Sequence, residues 1–430
     1  MSITGSMYIG VSGLLTFSTS MSVVGNNLAN VNTVGFKASR AEFADLMSTL
    51  EGGQQVGRGV RTQAVVPLFE QGTFQTTGGV SDLAIQGKGL FIVKDIDGKS
   101  FYTRAGQFSR DKSGFLVNPG GLFVQGFPLD KLTGKATGGL AAIDLGTGLP
   151  LQPKASTKIT LSVNLDSRNA IPAAAFPAGP DDTPTNWFTA SNFSTTLTIY
   201  DSLGQAHDLT FLFRKNATAG QWDYRVVAKR SELDATVPTS TDLRQVGTGV
   251  LAFDTLGALD TSGSTINAIG PMAWTNGSAS QTIAAAQLAF TGSTQYATPS
   301  SLSSFQQDGS AAGTLIGFTI DTQGVVTGQY SNGGSQPLYR IGLADFPGLE
   351  QLFPAGNNLL AQSPQSGDPI IGSPGSGGFG TTLVGGVEQS TVDVAKEFVN
   401  MIGAQRGFQA NSRLITVADQ MYEETVNLKR

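Results

Sequence analysis

The sequence predicts a mainly β protein with α-helical termini, in which the terminal helices form a coiled-coil-like inner core and two or more β-rich domains are nested between them. Near both ends, apolar residues recur at alternating steps of three and four, the spacing of helices that pack against other helices. The 430 residues include 55 glycines, and short apolar runs in the middle are separated by turn residues, a pattern typical of short strands. A chain this long exceeds one core, so two to four domains are expected.

The first helix is expected over residues 1–28. Residues 1–36 contain no charged side chain, and no proline precedes Pro67. Gly10, Gly13 and Gly25 each lower helix propensity by about 1 kcal/mol relative to alanine, so the helix must depend on packing. The predicted N-terminal seam consists of Met7, Val11, Leu14, Met21 and Leu28.

The last helix is expected from about residue 391 to 427. It begins at Ser390-Thr-Val-Asp393, which resembles a capping box with Asp in place of the usual Glu. The predicted C-terminal seam consists of Val394, Phe398, Met401, Phe408, Ile415, Tyr422 and Val426. The two seams could close an intramolecular two-helix coil or pack against helices of other copies.

The energetics favour packing between copies. Burying a seam of about seven large side chains contributes roughly 10–20 kcal/mol. Fixing about thirty residues costs on the order of 30–60 kcal/mol in backbone entropy before hydrogen bonds are counted. We therefore predict that both ends are disordered in the free chain and fold on assembly.

The middle of the chain predicts a nested domain organisation. A short helix is expected over residues 38–50, and short strands over 72–130 are separated by turns such as Asp97-Gly98. The clearest hairpin joins Thr196–Tyr200 to Asp208–Phe213. The predicted domains are a terminal helical core (1–30 and 391–430), a connecting segment (31–71 and 376–390), a discontinuous inner β domain (72–149 and 307–375) and an inserted outer β domain (150–306).

Composition argues against several classes of function. The net charge of −5 argues against a general nucleic-acid surface. The chain has no cysteine, which excludes disulfides, zinc–thiolate sites and thiol nucleophiles. We expect no cofactor, no metal and no enzymatic activity. The N-terminus lacks a basic region and contains several asparagines, so no membrane insertion and no cleaved leader are expected.

Three local patterns could indicate a catalytic or binding site. The single histidine, His207, could act as a base beside Asp201 or Asp208, but a hairpin histidine without an activating group is more often structural. Gly87-Lys-Gly89 does not match a phosphate-binding loop. Asp95, Asp97 and Asp111 lack the spacing of an EF-hand loop, so turn roles are expected for both groups.

Several motifs resemble those of the bacterial flagellar axial proteins, the family of rod, hook and hook-associated proteins. Leu83–Val93 and Tyr102–Phe108 resemble the family's core β segment, and Asp393–Ile402 with Ala404–Asn411 resembles its C-terminal helix. The N-terminal signature consists of Asn26, Asn27, Leu28, Ala29, Asn30, Gly35 and Phe36. A motif similar to hook proteins within the family includes Tyr200, Asp201, Gly204, His207 and Asp208.

The resemblance implies a structural subunit of the flagellar hook, which self-assembles into a helical tube and serves as a flexible universal joint that transmits motor torque from rod to filament. It implies an extracellular location in the hook and basal body, reached by type III export without a cleaved signal peptide. The implied partners are further copies of the chain, the distal rod protein, the hook cap protein, the hook–filament junction proteins, the export apparatus and the hook-length control protein.

Two alternative functions remain open at this point. The first is a distal rod subunit of the same family, and the second, less favoured, is a secreted β-rich adhesin. Some members of the family cross-link their subunits through a Cys–Lys pair. That chemistry is not available to this chain, because it has no cysteine.

Overall fold

The computed structural model describes residues 3–47, 49–51, 54–130, 133–146, 150–237 and 241–427. The chain begins with α1 (Ile3–Ala29) and ends with α4 (Val394–Asn427), and the two helices pack against each other. Most regular structure between them is strand, with two short helices, α2 (Pro184–Thr189) and α3 (Arg230–Leu233). The predicted mainly β fold with helical termini is confirmed.

The strands are numbered in chain order. Those before α2 are β1 (Ser39–Asp45), β2 (Thr49–Glu51), β3 (Gln54–Val56), β4 (Val60–Pro67), β5 (Phe74–Thr76), β6 (Leu83–Gln86), β7 (Leu90–Lys94), β8 (Ser100–Thr103), β9 (Ser109–Arg110), β10 (Leu116–Val117), β11 (Phe123–Pro128), β12 (Ala141–Ala142), β13 (Ile159–Asn164) and β14 (Asp181–Asp182).

The strands after α2 complete the fold. They are β15 (Phe193–Tyr200), β16 (Ala206–Lys215), β17 (Gln221–Lys229), β18 (Leu243–Phe253), β19 (Leu259–Ile266), β20 (Ile269–Met272), β21 (Gln281–Ile283), β22 (Leu288–Ala289), β23 (Ser301–Gln307), β24 (Leu315–Ile320), β25 (Val325–Tyr330), β26 (Ser335–Ile341), β27 (Leu343–Asp345), β28 (Phe353–Gly356), β29 (Leu359–Ala361), β30 (Ile370–Gly372), β31 (Thr381–Val384) and β32 (Gly386–Glu388).

The chain forms two compact units. The first comprises Met1–Thr147, Gly317–Gln329 and Ser335–Arg430, and the second comprises Gly148–Ile316 and Tyr330–Gly334. The terminal helices belong to the first unit. The finer division into four domains remains a prediction.

The first unit contains a sheet in which β25, β26, β11, β7, β8, β29 and β28 are successive neighbours. The sequences of β6 and β7 are short apolar runs because both faces of these strands are buried. Leu83, Ile85, Leu90 and Phe91 are inaccessible to solvent or nearly so. β31 pairs with β6, and β32 pairs with β5. These two pairings bring the segment that precedes α4 against the start of the β region.

The second unit is built on an antiparallel sheet in the order β14, β18, β17, β16 and β15, with β19 beside β18. Residues alternate across this sheet, as a period of two requires. One face buries Phe211 and Tyr224 in a core shared with Phe290 and neighbours, whereas the other buries Leu212 around Trp187. The predicted hairpin of β15 and β16 is confirmed, with Tyr200 opposite Ala206.

The prediction of a short helix over residues 38–50 is wrong. β1 occupies most of this range and pairs antiparallel with β4, from Ser39 opposite Pro67 to Asp45 opposite Val60. Phe43 and Met47 suggested a helix face by their spacing, yet both are exposed, Met47 by 89%. No packing surface receives that face, so pairing with the β-branched residues of β4 determines the conformation.

Candidate assembly site: the helix pair and its anchor

The helix pair, α1 with α4, runs antiparallel and is brought close by glycine. A Cβ atom built on Gly10 would lie 2.8 Å from Ile415 Cγ1, and one on Gly407 would lie 2.5 Å from the ring of Phe17. A Cβ on Gly13 would lie 2.5 Å from Asn411 Oδ1. Distances under 3 Å leave no room for a methyl group, so these glycines set how closely the backbones approach.

The inner face of α1 is one residue out of step with the predicted N-terminal seam. Gly10, Gly13 and Asn27 are buried, each one position before a predicted seam residue, and Thr16 and Val24 are buried as well. One residue corresponds to a rotation of about 100° around the helix. The predicted seam residues consequently lie at the side of the contact. Met7, Leu14, Met21 and Leu28 are partly buried, and Val11 is exposed.

The buried face of the C-terminal helix likewise differs from its predicted seam. Glu397, Ala404 and Ala418 are its buried residues, and they recur at multiples of seven. Of the predicted C-terminal seam, Met401 and Ile415 are partly buried. The remaining seam residues, which are exposed, are Val394, Phe398, Phe408, Tyr422 and Val426.

The helix pair therefore leaves large apolar side chains in water. On α1, Tyr8 is 78% exposed and Leu15 is 66% exposed. On α4, further exposed apolar residues are Val399, Ile402, Leu414, Val417 and Met421. Large apolar side chains exposed in this number on two helices are typical of an interaction surface.

The signature residues form the exit from α1. Asn30 Nδ2 donates to the Asn26 carbonyl at 2.9 Å, and the hydroxyl of Thr33 donates to Asn30 Oδ1 at 3.0 Å. Asn27 is buried and exchanges two side-chain hydrogen bonds with the backbone of Ser39, at 2.8 and 2.9 Å. These asparagines satisfy backbone groups at the helix end and fix β1 to it.

The same segment then meets the start of α4. Gly35 has a φ of +70°, and a Cβ there would lie 2.6 Å from the Ala105 nitrogen, so only glycine fits. Its N–H donates to the Glu388 carbonyl at 2.7 Å, and the Thr391 N–H donates to the Phe36 carbonyl at 3.2 Å. The exit of α1 and the entry of α4 thus lie side by side.

Helix α4 begins later than predicted, at Val394. Asp393 caps it, since its Oδ1 accepts from the N–H groups of Ala395 and Lys396 at 2.9 and 3.2 Å. The predicted box placed Ser390 at this position. In the structure the Ser390 hydroxyl instead accepts from the Val392 N–H at 3.3 Å.

Beneath this junction lies a buried ionic group, the anchor cluster of Lys37, Arg104 and Glu388. Glu388 has a fully buried side chain. Its Oε1 lies 2.6 Å from Lys37 Nζ, and its Oε2 lies 2.7 Å from Arg104 Nε. Sequence reasoning did not identify this cluster, because Glu388 lies 351 residues from Lys37 and 284 residues from Arg104. The one available signal was that Lys37 directly follows Phe36 of the N-terminal signature and that Arg104 lies inside the Tyr102–Phe108 motif.

Arg104 extends the anchor cluster into the sheet. Its guanidinium donates to the carbonyls of Ile85, Gly87 and Gly89, and to Gln71 Oε1. Glu388 also accepts from the Gly72 N–H at 2.8 Å. One carboxylate therefore connects the α1 exit, the β6–β7 connection and the segment before α4.

The two cations of the anchor cluster share one carboxylate. Burial would raise the pKa of Glu388, but the nearby Arg104 and the hydrogen bond from Lys37 outweigh it and hold that pKa below its ordinary value. Burial lowers the pKa of Lys37, which the bond to Glu388 only partly offsets. Buried charges remain stable only when paired and hydrogen-bonded in this way.

The hook-like motif lies in the second unit, at the β15–β16 turn. Gly204 has a φ of +83° and ends the turn, where its N–H donates to the Asp201 carbonyl at 3.1 Å. Tyr200 is partly buried, and its N–H donates to the Ser156 hydroxyl at 2.9 Å. Asp208 is exposed and accepts from the Thr198 hydroxyl. Asp201 and His207 are both buried, and Asp201 Oδ2 lies 3.2 Å from His207 Nε2.

Comparison with known proteins shows full-length relatives. A flagellar hook protein FlgE of Treponema pallidum is 36% identical, with 99% of each chain covered. A flagellar hook protein FlgE of Salmonella typhimurium is 35% identical over 97% of this chain and 98% of its own. The chain belongs to the flagellar hook protein family. It is a structural subunit of the flagellar hook, and neither the distal rod nor the adhesin alternative is favoured.

Four family descriptions match successive parts of this hook subunit. "Flagella basal body rod protein" matches residues 7–37, and "Flagellar hook protein FlgE/F/G D1 domain" matches 84–167. "Flagellar basal body protein FlaE D2 domain" matches 164–310, and "Flagellar basal body rod FlgEFG protein C-terminal" matches 384–428. The terminal matches contain most of α1, all of α4, Lys37 and Glu388.

Proposed function

We propose that copies of this hook subunit assemble through their terminal helices into a helical tube, which bends as a universal joint while it transmits motor torque from rod to filament. The observation that supports this proposal is the exposed apolar surface of the helix pair. Each large side chain removed from water contributes about 1.5–3 kcal/mol. Helices of neighbouring copies offer matching surface, so the predicted seams pack between copies.

We propose that bending depends on contacts between the outer β domains and not on the helix pair. Outer β domains that carry few charges and many Ser, Thr and Gly residues suit contacts worth about 1 kcal/mol or less. Such contacts re-form as subunits on the inner side of a bend approach one another. Tubes imaged at two curvatures should then show different contacts between outer domains and constant packing of the helices.

The proposed protein partners follow from the position of the hook between rod and filament. We propose contacts with the distal rod protein at one end and with the hook cap and hook–filament junction proteins at the other. We also propose export by the type III apparatus without a cleaved signal peptide, under a hook-length control protein. Mass spectrometry of the N-terminus in isolated hooks tests the absence of cleavage.

Residues Gly5–Ala29 are long and apolar enough to span a membrane by length and composition alone, with a mean hydropathy of 1.4. We propose packing against helices in place of membrane insertion, because α1 lies along α4 and carries Ser, Thr and Asn side chains that hydrocarbon does not solvate. Recovery of the chain in tubes, with no association with vesicles, supports this proposal.

The seam prediction can be tested on α4 without disturbing the fold of one chain. Phe398 and Phe408 are exposed, so a Phe398→Ser, Phe408→Ser double variant should keep the thermal unfolding of the free chain. It should lose tube assembly, because two apolar contacts in every subunit are removed. Negative-stain electron microscopy and sedimentation of concentrated chain measure this.

The matched control replaces two exposed polar residues of the same helix, Gln405→Ser and Gln409→Ser. This control should assemble as the unmodified chain does. Normal tubes from the apolar double variant would contradict the role of the C-terminal seam. Straight tubes from the unmodified chain would favour a rod-like polymer over a bending joint.

A further inference from the structure

His207 lies on β16 in the second unit, where the ring is enclosed by three other segments. Its side chain is only 2% exposed. Nδ1 lies 2.7 Å from Glu232 Oε2 on α3, and Nε2 lies 3.2 Å from Asp201 Oδ2 in the turn after β15. The imidazole stacks on the indole of Trp274, with ring centroids 3.6 Å apart and planes 7° apart.

The residues around Trp274 connect the same three segments a second time. Asn276 Nδ2 donates to Asp201 Oδ2, and the Thr275 N–H donates to the Glu232 carbonyl at 2.9 Å. The hook-like motif, α3 and the segment 274–276 therefore meet at one imidazole. We call Asp201, His207, Glu232 and Trp274 the histidine clamp.

The protonation state of the ring decides how many of these bonds exist. A neutral imidazole carries one N–H group, and an ionised carboxylate only accepts. With two carboxylates at its two nitrogens, a neutral ring leaves one carboxylate facing a lone pair. The imidazolium donates to both Asp201 and Glu232, so the clamp is complete only in the charged form.

The charges that surround the ring favour that form. Burial lowers the pKa of His207, but its bonds to Glu232 and Asp201 outweigh burial and raise the pKa above the ordinary value. The bond to His207 lowers the pKa of Glu232. Lys229 Nζ lies 3.5 Å from Glu232 Oε1 on the solvent side, and Asp208 faces away, bonded to Thr198.

We propose that the histidine clamp is a pH-dependent lock of the second unit, which holds the β15–β16 turn, α3 and the segment 274–276 together as an imidazolium and loosens when the ring loses its proton. A group whose pKa is raised by folding stabilises the fold fully below its unfolded pKa of about 6.5. That contribution is lost as the pH rises through the folded pKa. This inference does not depend on how copies assemble.

The titration of the ring can be followed directly because the full chain has one histidine and no cysteine. Imidazole resonances of the intact chain, recorded by NMR from pH 5 to 9, should give a pKa above about 6.5. A Glu232→Gln variant should lower it by about one unit, since an opposite charge is removed. A pKa at or below the ordinary value, or one unmoved in this variant, would overturn the proposal.

Stability of the second unit supplies the second readout. The three tryptophans, Trp187, Trp222 and Trp274, all lie in this unit, so their fluorescence reports its unfolding alone. Between pH 6 and 9 the thermal midpoint of the unmodified chain should fall by at least about 2 °C. A His207→Gln variant should show no such fall.

If His207→Gln does not fold, the Glu232→Gln chain provides the comparison. Removing one negative charge should move the fall in the fluorescence midpoint to lower pH, in step with the imidazole pKa. The same pH dependence in the unmodified and variant chains would overturn the lock, because the remaining group that titrates in this range, the α-amino group, is common to both.

Discussion

Replacing Glu388 with alanine should destabilise the first unit by about 3–5 kcal/mol, the range for a buried pair that loses one partner. The substitution leaves Lys37 and Arg104 buried without their carboxylate, and it frees the Gly72 N–H. Because the anchor cluster holds the α1 exit beside the α4 entry, tube assembly should be lost as well. Urea unfolding followed by far-UV circular dichroism, and sedimentation of the polymer, measure the two effects.

The matched control is Glu350→Ala, which removes an exposed carboxylate of the same unit that has no ion pair among the described residues. It should change stability by no more than about 0.5 kcal/mol. A Glu388→Ala variant as stable as Glu350→Ala would show that the anchor cluster does not hold the unit together.

A double-mutant cycle separates the ion pair from simple loss of packing. Glu388→Gln with Arg104→Met removes both charges of one contact, so its cost should be less than the sum of the two single costs. Additive costs would mean that the two side chains act independently. The tryptophan fluorescence of the second unit should stay unchanged in all these variants, since the three tryptophans lie outside the first unit.

Local sequence signals predicted much of this fold. Heptad spacing without proline gave both terminal helices to within three residues at each described end. Asp97-Gly98 gave a turn because Gly98 supplies the required positive φ, which is +81°. Signals of this kind are carried by neighbours in the chain, so they need no knowledge of the tertiary structure.

The features that sequence reasoning missed depend on distant segments. Phe43 and Met47 fit a helix as well as a strand, and only pairing with β4 distinguishes the two. The anchor cluster joins positions 284 and 351 residues apart. The phase of the helix pair is likewise not a local property, because glycines with no hydrophobicity of their own determine which face of α1 meets α4.

The offset between the predicted seams and the buried face has a physical consequence. Within one chain, small residues such as Gly10, Ala404 and Gly407 line the contact, and Ile415 and Phe17 pack against the glycines. Most of the other large side chains of the two helices are exposed. Once the helices form, the contact within one subunit can therefore set their pairing, and the exposed apolar side chains of the same two helices remain available for contacts between copies.

Alanine at Gly407 should weaken the helix pair although alanine is the better helix former. A Cβ there would lie 2.5–2.8 Å from three ring atoms of Phe17, and overpacking of this kind costs about 1–3 kcal/mol. Against a helix-propensity gain of about 1 kcal/mol, the net change should be a loss. A loss of about 1.4 kcal/mol raises the concentration needed for assembly about tenfold.

The same change four residues earlier should act in the opposite direction. Gly403 is exposed, with no atom within 4 Å of a built Cβ, so Gly403→Ala gains helix propensity without a clash. Amide hydrogen exchange of α4 in assembled tubes should therefore slow in Gly403→Ala and quicken in Gly407→Ala. Adding Phe17→Leu to Gly407→Ala should recover part of the loss, because a smaller side chain makes room for the methyl group. If both alanine variants strengthened α4 equally, the two helices would not be in contact at Gly407, and the helix pair would not be the unit from which the tube is built.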